Sequence, residues 1–493
     1  MAILRPQPRR ILLDALANVA HSPVAGEVWV SGITHDSRLV QHGDLYVAVP
    51  GFQQHGIDFL EAAVAAGAVA VASDSHGVRV AQAFGLPTIE LADVRHDMAM
   101  LAAEVYGHPE NSLTMLGITG TNGKTTTASM VRHILKVQNV DVAMIGTLGA
   151  WCGEEHLPGI RTTPESTDLF ALLGYFVERG MTHVVMEVSS HAMTLSRVAG
   201  ITFDVAAFTN LSQDHLDFHG DMDHYFAAKA SLFESTNHGV INADDMYGKA
   251  LIEQCIGRIP LSTFGQDADW SASSVHSHVA GETTFEVTTP VGNKLSVRIP
   301  MFGQFNVSNA LCAMAVVSAI GLDSAKAASS IQTFTGVAGR CEIVTPSGLG
   351  TAVVDYAHTP DAVDKILSEL RAVNPRKLIT VIGCGGDRDP SKRFAMGQIA
   401  SQHSDVVIVT DDNPRTEEPN AIRAEVERGA REGSAEVINV SDRQLAIRQA
   451  IVLAQDGDIV AVLGKGHESG QEINGVTYTF DDRDVIRQES AHA

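Results

Sequence analysis

The chain has 493 residues, of which 45% are hydrophobic and 19% charged, and its formal net charge is −23. This length exceeds what one hydrophobic core usually serves, so the composition predicts a globular protein of two to four domains. The acidity argues against a nucleic-acid partner, which would usually meet a basic protein, and no run approaches the roughly 18 apolar residues of a membrane helix.

The N-terminal segment and the cysteines both indicate a reducing cytoplasm. MAILRPQPRRILLDALANVA begins basic, but Asp14 and Asn18 interrupt the continuous apolar core that a signal peptide needs. The five cysteines are scattered and odd in number, so neither a disulfide framework nor a zinc knuckle is expected. We therefore expect a cytoplasmic protein without membrane insertion.

Residues 1–109 are predicted to form a first α/β domain. GDLYVAVPG (43–51) has the composition of a strand, and FLEAAVAAGAVAVAS (59–73) predicts a helix that passes through Gly67 into a strand. The segment GHPENSL (107–113) is turn-rich and polar, which is typical of a linker.

Residues 110–337 are predicted to form a central α/β domain. The apolar run LTMLGIT precedes a glycine-rich loop and a helical stretch, which is the start of a βαβ unit. Further buried strands are expected in THVVMEVSS (182–190), FDVAAFTN (203–210) and GVIN (239–242). The alternation in 268–300 predicts an inserted antiparallel hairpin, and 306–321 a helix.

Residues 338–493 repeat one pattern, in which apolar runs of strand length alternate with helices. The runs are TAVVDYAHTP, KLITVIGCGGDRD, DVVIVTDDNPR and DIVAVLGKGHE. This alternation predicts a Rossmann-like parallel sheet. The fold class is therefore α/β with three domains, the central one of P-loop type with a small antiparallel insertion.

The strongest motif is GITGTNGKTTT (117–127). A glycine-rich turn between strand and helix lets backbone N–H groups approach phosphates at the helix N-terminus. The spacing is G-x-x-G-x-x-G-K-T, with Ile118 where the generic P-loop has its first glycine. Lys124 is expected to reach the terminal phosphates and Thr125 to ligate Mg²⁺. The motif predicts ATP binding by Gly120, Thr121, Asn122, Gly123, Lys124, Thr125 and Thr126.

Other candidate residues of the central domain also follow strands. Glu187 ends an apolar strand beside the P-loop, where an acid can hold Mg²⁺ directly or through water. The loop NLSQDHLDFHG contains His215 and His219, but the histidine spacings are not a zinc signature. Lys229 alone is typical of the solvated face of an amphipathic helix.

Polar residues follow each strand of the last domain, and in open parallel sheets ligands bind at the carboxyl ends of strands. The sequence therefore predicts one composite site there. Its residues are Asp355, Tyr356 and His358, then Asp387 and Arg388, then Asp411 to Arg415, then Lys465, His467 and Glu468.

Taken together, these motifs resemble the Mur ligase family over essentially the whole chain. The motifs GTNGKTT, MEVSSH, NLSQDHLD, AAKASLF, FNVSNAL, GR at 339–340 and DYAHTP occur in the family's order. HDSRLVQHGDLYVAVPGFQQHG, DDNPRTE and GKGHE make the chain most similar to members that add the third amino acid of the cell-wall peptide.

The resemblance implies a ligase that adds meso-diaminopimelate to UDP-N-acetylmuramoyl-L-alanyl-D-glutamate through an acyl phosphate, with ATP and Mg²⁺. It implies that Lys229 is carbamylated by carbon dioxide, and that Lys124, Lys229, His215 and Glu187 are catalytic. The implied metal set is Thr125, Glu187, Lys229 and His215, with His215 in metal positioning or in proton transfer. The implied ATP contacts also include Asn306, Arg340 and Asp355.

The resemblance also implies the substrate contacts. The nucleotide end is expected at His35, Ser37, Phe52, Gln53 and Gln54, and the peptide end at Arg161, Thr162, Thr163, Ser189 and Arg197. The amino-acid pocket is expected to comprise Arg388, Asp412, Asn413, Pro414, Arg415, Gly464 and Glu468. A guanidinium matches a carboxylate bidentately, so Arg415 favours diaminopimelate over lysine.

Several alternatives stay open at this stage. The same chemistry could serve L-lysine or another acceptor, as in a folylpolyglutamate synthetase. A P-loop regulatory NTPase would leave Arg388, Arg415 and Glu468 without a purpose, and a non-catalytic module would leave the phosphate residues without one. We expect a monomer.

Overall fold

The computed structural model describes residues 4–19, 27–51, 53–159, 161–279, 281–344 and 350–492. Within those ranges, no helix is both long and apolar enough to cross a bilayer. The five cysteines, all described, are buried free thiols.

The first segment of the chain contains a parallel four-stranded sheet of order β3-β4-β5-β6 and a short ladder, β1-β2. Its strands are β1 (Ile11–Leu12), β2 (Trp29–Val30), β3 (Gly32–Thr34), β4 (Asp44–Ala48), β5 (Ala70–Ser73) and β6 (Thr88–Glu90). Its helices are α1 (Leu13–Val19), α2 (Leu60–Ala66), α3 (Ser75–Ala83) and α4 (Val94–Tyr106). The predicted passage from helix to strand is confirmed, because Gly67 ends α2 in the left-handed conformation.

The middle of the chain forms an eight-stranded sheet of order β10-β9-β8-β11-β7-β12-β13-β14, in which the β8–β9 and β9–β10 pairings are antiparallel and the others parallel. Its strands are β7 (Thr114–Thr119), β8 (Val142–Gly146), β9 (Gly149–Cys152), β10 (Glu155–Leu157), β11 (His183–Glu187), β12 (Val205–Phe208), β13 (Gly239–Asn242) and β14 (Leu261–Phe264). The helices are α5 (Lys124–Val137), α6 (Ser166–Glu178), α7 (Ser190–Thr194), α8 (Leu216–His219), α9 (Met222–Ala230), α10 (Met246–Cys255), α11 (Gln304–Ala319) and α12 (Ser324–Ile331).

The insertion predicted in 268–300 is antiparallel, as expected, but it has three strands rather than two. They are β15 (Ser271–His278), β16 (Glu282–Thr288) and β17 (Lys294–Ile299). Alternate side chains of β16 are buried, so this small sheet closes over the core beside α11.

The last segment forms a six-stranded sheet of order β18-β19-β23-β20-β21-β22, parallel except for β18. Its strands are β18 (Glu342–Ile343), β19 (Thr351–Asp355), β20 (Leu378–Ile382), β21 (Val406–Val409), β22 (Glu436–Asn439) and β23 (Ile459–Leu463), followed by a hairpin of β24 (Gly470–Ile473) and β25 (Val476–Thr479). The helices are α13 (Pro360–Ala372), α14 (Lys392–His403), α15 (Pro419–Ala430), α16 (Arg443–Leu453) and α17 (Asp482–His492). The sequence interpretation missed β22 and the hairpin, because neither is a continuous apolar run.

Candidate active site

The phosphate loop lies at the carboxyl end of β7, in the middle of the central sheet. Gly120 and Gly123 have φ angles of +146° and +85°, which side chains other than glycine rarely adopt. A Cβ at Gly120 would lie 1.9 Å from Thr209 Oγ1, and one at Gly123 would lie 2.4 Å from Asn309 Oδ1. Both positions therefore require glycine, and α5 begins immediately after the loop at Lys124.

Two lysines meet on one carbonyl of this loop. Lys124 Nζ donates to the carbonyl oxygens of Gly120 and Thr121 at 2.9 Å each, and Lys229 Nζ donates to the same Gly120 oxygen at 2.8 Å. Lys229 is buried, although its helix α9 was expected to present it to solvent if the sequence were considered alone. Burial, together with the positive charge of Lys124, holds the pKa of Lys229 well below its usual value.

Glu187 is completely buried at the end of β11, next to the phosphate loop. Its Oε2 accepts from the Thr125 hydroxyl at 2.9 Å and from the Thr147 hydroxyl at 3.1 Å, and its Oε1 accepts from the Thr147 N–H at 2.9 Å. Thr147 Oγ1 also lies 3.0 Å from Thr162 Oγ1. The oxygens of Thr125 and Glu187, both expected to hold Mg²⁺, are thus already adjacent.

A cluster of histidines lies beside Lys229. The His191 ring stacks on Phe218 at 4.1 Å and meets the His215 ring edge-on at 4.9 Å, while His219 Nε2 lies 2.9 Å from Ser190 Oγ. Burial, reinforced by neighbouring positive charge, lowers the pKa of His191 to about 4, and burial also lowers the pKa of His215. Neutral imidazoles can accept protons or ligate metals.

Among the described side chains, no three His, Cys, Asp or Glu groups are arranged to hold a metal ion. The expected metal set has only two such members, Glu187 and His215, and its other members are Thr125 and Lys229. A lysine ammonium repels a cation, so this set fits Mg²⁺ only if Lys229 carries an oxygen-bearing group.

A cavity of about 400 Å³ opens beside the phosphate loop and is lined by both the central and the last segments. Asn306 and Asn309 line it from α11, and Arg340 and Asp355 line it from the opposite side. The Arg340 guanidinium lies over the Tyr356 ring, 4.6 Å from its centroid. Burial raises the pKa of Asp355, whose carboxylate accepts from the N–H groups of Cys341 and Ala357.

Asp361 at the start of α13 crosses this cleft, a contact that the sequence did not predict. Its Oδ2 accepts from Asn122 Nδ2 at 3.1 Å and from Ser212 Oγ at 2.8 Å. The phosphate loop is therefore joined directly to the last domain.

A second cavity, of about 370 Å³, lies between the first and central segments. His35 and Arg161 line it, with Glu165 at its wall. The Glu165 carboxylate pairs with Arg197 at 2.7 Å, Arg161 at 2.8 Å and Arg95 at 3.4 Å. Although burial opposes ionisation, the arginines hold the pKa of Glu165 below its usual value.

The other residues expected to contact the substrate are not among the described lining residues of this cavity. Thr163 Oγ1 donates to the Glu187 carbonyl oxygen at 2.9 Å and accepts from the Ser189 N–H at 3.1 Å, so both residues are tied to the strand end that carries Glu187, although neither is among the described lining residues of the cavity. Ser37 lies in the short turn Ser37–Leu39, whose neighbours Asp36 and Arg38 line the cavity. Gln53 and Gln54 are exposed and are not among its described lining residues, and Phe52 lies outside the described residues.

The expected amino-acid pocket lies at the carboxyl ends of β20, β21 and β23. Lys465 is fully buried, and its Nζ donates to Asn413 Oδ1 at 2.9 Å and to Glu468 Oε2 at 3.1 Å. Gly464 has a φ angle of +112°, and a Cβ there would lie 2.6 Å from Asp412 Oδ2. Pro414 is buried next to them, while Arg388 is exposed at the rim.

Arg415 donates from Nη1 to the Gly386 carbonyl oxygen at 2.6 Å, and its Nε lies 3.3 Å from Glu472 Oε2. Glu472, Glu165 and Asp361 are site residues that the sequence interpretation did not name, because their partners became visible only in the structure. Lys465 was expected in the composite site of the last domain, and the structure adds its contacts with Asn413 and Glu468.

Comparisons with known proteins show which proteins the chain is similar to. The models of the Mur ligase family catalytic domain, the Mur ligase middle domain and the Mur ligase glutamate ligase domain match residues 30–106, 118–317 and 339–466. UDP-N-acetylmuramoyl-L-alanyl-D-glutamate--2,6-diaminopimelate ligase of Streptomyces coelicolor is 45% identical over 98% of this chain and 97% of its own length. The protein of the same name from Corynebacterium glutamicum is 42% identical over 97% and 95%.

Solved structures show the same fold. A structure of UDP-N-acetylmuramoyl-L-alanyl-D-glutamate--2,6-diaminopimelate ligase superposes with a TM-score of 0.69 at 31% identity, covering 98% of this chain and 99% of the other. The folylpolyglutamate synthase of Mycobacterium tuberculosis, complexed with ADP and AMPPCP, superposes with a TM-score of 0.62 at 18% identity, covering 80% and 93%. The predicted three-domain α/β fold class is confirmed.

Proposed function

The chain belongs to the Mur ligase family, and on that premise we propose that it joins meso-diaminopimelate to UDP-N-acetylmuramoyl-L-alanyl-D-glutamate with cleavage of ATP to ADP and phosphate. The observation that carries the proposal is the pair of lysines on the Gly120 carbonyl oxygen. A phosphate loop that only hydrolyses a nucleotide needs one such lysine. A ligase must also bring a substrate carboxylate against the triphosphate, which calls for further charge compensation.

Lys229 is proposed to be carbamylated. Only a neutral amine attacks carbon dioxide, and burial lowers the pKa of Lys229 toward that neutral state. In this step the Nζ–C bond forms, one C=O pair of electrons moves onto oxygen, and the amine proton leaves to solvent. The product is an anionic group with two oxygens, which removes the misfit between a lysine and a cation.

With that group in place, Thr125, Glu187, carbamylated Lys229 and His215 would hold Mg²⁺. When bound, the ion would neutralise negative charge on the phosphates. For His215, whose ring meets that of His191 edge-on at 4.9 Å, metal positioning and proton transfer both stay open as roles.

ATP is proposed to lie with its phosphates on Gly120 to Thr126 and its remainder in the 400 Å³ cavity. Asn306, Arg340 and Asp355 face this cavity from two domains. Lys124 would leave its loop carbonyls to bind the terminal phosphates, which exchanges two neutral acceptors for charged ones.

The nucleotide-linked dipeptide is proposed to occupy the 370 Å³ cavity between the first and central domains. His35, Ser37 and residues 52–54 would contact its uridine diphosphate end, and Arg161, Thr162, Thr163, Ser189 and Arg197 its peptide end. Thr162 and Thr163 support this orientation, because they stand between the lining residues Arg161 and Pro164 and their hydrogen bonds reach Thr147 and Glu187.

The amino-acid pocket is proposed to select diaminopimelate by its second carboxylate, which Arg415 and Arg388 would bind. Lysine would leave the Arg415 guanidinium without its partner. A site built around such a polar group rejects the substrate that lacks the partner by a factor of about 10⁴ or more. Glu468 is suited to the ammonium of the same substrate, with Asp412, Asn413, Pro414 and Gly464 completing the pocket.

The reaction would proceed in two steps. An oxygen of the substrate carboxylate attacks the γ-phosphorus, the bond to the β-phosphate oxygen breaks, and an acyl phosphate and ADP form. The amine of diaminopimelate then attacks the acyl carbon, loses a proton, and phosphate departs. Because water would hydrolyse the acyl phosphate, the domains should close before chemistry.

The test is phosphate release with ATP, Mg²⁺ and the UDP-linked dipeptide, comparing meso-diaminopimelate, L-lysine and no amino acid. We expect release that depends on diaminopimelate, with a product heavier by that residue. Arg415→Ala should raise the KM for diaminopimelate more than the KM for ATP. Release that needs no acceptor would instead support a regulatory NTPase, and release with lysine would overturn the role of Arg415.

We place the reaction in the cytoplasm, where ATP and UDP-linked precursors occur. We also propose that the chain acts as a monomer, with domains of residues 1–109, 110–337 and 338–493.

A further inference from the structure

The hairpin of β24 and β25 is attached to the loop that contains Arg415. Both its main chain and its side chains take part. The four hydrogen bonds are Gln471 Nε2 to Asp412 O at 2.7 Å, Glu472 N to Asn413 Oδ1 at 3.0 Å, Arg415 N to Glu472 O at 3.1 Å, and Asn474 N to Arg415 O at 2.7 Å. Hydrogen bonds therefore join residues 471–474 of the hairpin to residues 412–415 of the pocket loop.

Two contacts from different elements hold the Arg415 guanidinium. Gly386, after β20, accepts from Nη1, and the Glu472 carboxylate lies 3.3 Å from Nε. Nη2 has no hydrogen bond among the described residues. The side chain is about one-fifth exposed, so a ligand can reach part of the guanidinium.

We propose that Glu472 is a positioning residue for acceptor specificity, which holds the Arg415 guanidinium so that its Nη2 end meets the distal carboxylate of diaminopimelate. The inference rests on the proposed function. An arginine side chain loses much rotamer freedom when it is fixed, and a protein that fixes it beforehand spares the ligand that loss. Glu472 and Gly386 together define the plane of the guanidinium before any ligand arrives.

Glu472 could instead oppose substrate binding, because it places a negative charge where a carboxylate should bind. The geometry favours positioning, since Gly386 holds Nη1 and Glu472 lies nearest to Nε, while Nη2 makes no hydrogen bond with the described residues. The Glu472 main chain also holds Asn413 and Arg415, so the residue is placed by the hairpin and not by Arg415 alone.

The two roles predict opposite changes in KM, which a variant series can separate. Wild type, Glu472→Ala and Glu472→Gln are compared for kcat and for the KM values of diaminopimelate, L-lysine and ATP. Glu472→Ala should raise the KM for diaminopimelate about fivefold, the effect of a half-exposed ion pair of about 1 kcal/mol. The kcat and the KM values for ATP and lysine should change less than twofold. Glu472→Gln should restore most of the wild-type KM, because its amide oxygen still accepts from Nε.

Glu432→Ala, an exposed glutamate of the same domain, is the matched control and should behave as wild type. Lower KM for diaminopimelate in both Glu472 variants would show that the carboxylate competes with substrate and would overturn the proposal. A parallel rise of all three KM values would reduce Glu472 to a purely structural role, which also overturns it. If the wild type needs diaminopimelate and Glu472→Ala has the wild-type KM for it, only this inference is refuted. If phosphate release by the wild type does not depend on diaminopimelate, the proposed function is refuted and this inference with it.

Discussion

The ammonium nitrogen of Lys229 lies 2.8 Å from the carbonyl oxygen of Gly120, which joins helix α9 to the phosphate loop. The contact is buried, and the second cation on the same oxygen is Lys124. Burial, with a further contribution from the positive charge of Lys124, holds the pKa of Lys229 well below its usual value.

Replacing Lys229 by alanine should remove most of the ligase activity while nucleotide binding persists. Loss of one preorganised charged group at a reacting centre costs about 10²–10³-fold in kcat. Phosphate release and calorimetric binding of ADP measure the two properties. Lys326→Ala, which removes an exposed lysine on α12, is the control and should be silent. Near-normal turnover by Lys229→Ala would contradict the proposal that a carbamate on Lys229 takes part in the reaction.

Glu187→Gln should raise the Mg²⁺ concentration needed for half-maximal activity by about tenfold or more, because a neutral amide is a poorer Mg²⁺ ligand than a carboxylate. The fold should survive, since the amide oxygen can still accept from the Thr147 N–H. Activity is titrated against Mg²⁺, and Glu253→Gln on the exposed side of α10 serves as control. An unchanged Mg²⁺ requirement would remove Glu187 from the metal set.

Arg443 and Asp482 form an ion pair in which both side chains are fully buried, with 2.7 Å between Nε and Oδ1. Arg443→Met leaves the Asp482 carboxylate buried without its partner, which should lower the free energy of unfolding by about 3–5 kcal/mol. Thermal and urea unfolding measure this loss.

The double variant Arg443→Met, Asp482→Leu should be more stable than Arg443→Met, because it removes the unpaired charge as well. Arg448→Met removes a half-exposed arginine of the same helix and should change stability by less than about 1 kcal/mol. A double variant as unstable as Arg443→Met would argue that packing, and not the unpaired charge, causes the loss.

The pH dependence of stability should include a contribution from His467. Burial, together with Arg340 and Arg483, lowers the pKa of His467 to about 4. Between about pH 6.5 and pH 4, the unfolded chain therefore binds this proton more readily than the folded chain. The stabilising contribution is complete above pH 6.5 and is lost as the pH falls toward 4.

Urea unfolding at pH 7, 6 and 5 should show that His467→Gln flattens this decline relative to wild type. His276→Gln, at an exposed position on β15, should leave the decline unchanged. If His467→Gln follows the wild-type slope, His467 does not titrate in this window.

Much of the architecture could be predicted because parallel strands buried on both faces are continuous apolar runs. The runs before Gly120, Glu187 and Asp355 are β7, β11 and β19. Prediction failed where burial is partial: β22 is a half-exposed edge strand, and the β24–β25 hairpin is exposed on one strand. The sequence interpretation therefore did not predict the hairpin, although it contacts Arg415.

The candidate site could be predicted where its residues form a local motif, but not where they come together from separate elements of the fold. The phosphate loop could be assigned from the motif alone, since glycines at 120 and 123 and a lysine at 124 have the spacing of a phosphate-binding turn. The burial of Lys229 on that loop, the pairing of Glu165 with three arginines, and the contact of Glu472 with Arg415 became visible only in the folded chain. A loop motif is encoded by neighbouring residues, whereas burial and ion pairing depend on how separate elements pack, and no single segment of the chain contains that information.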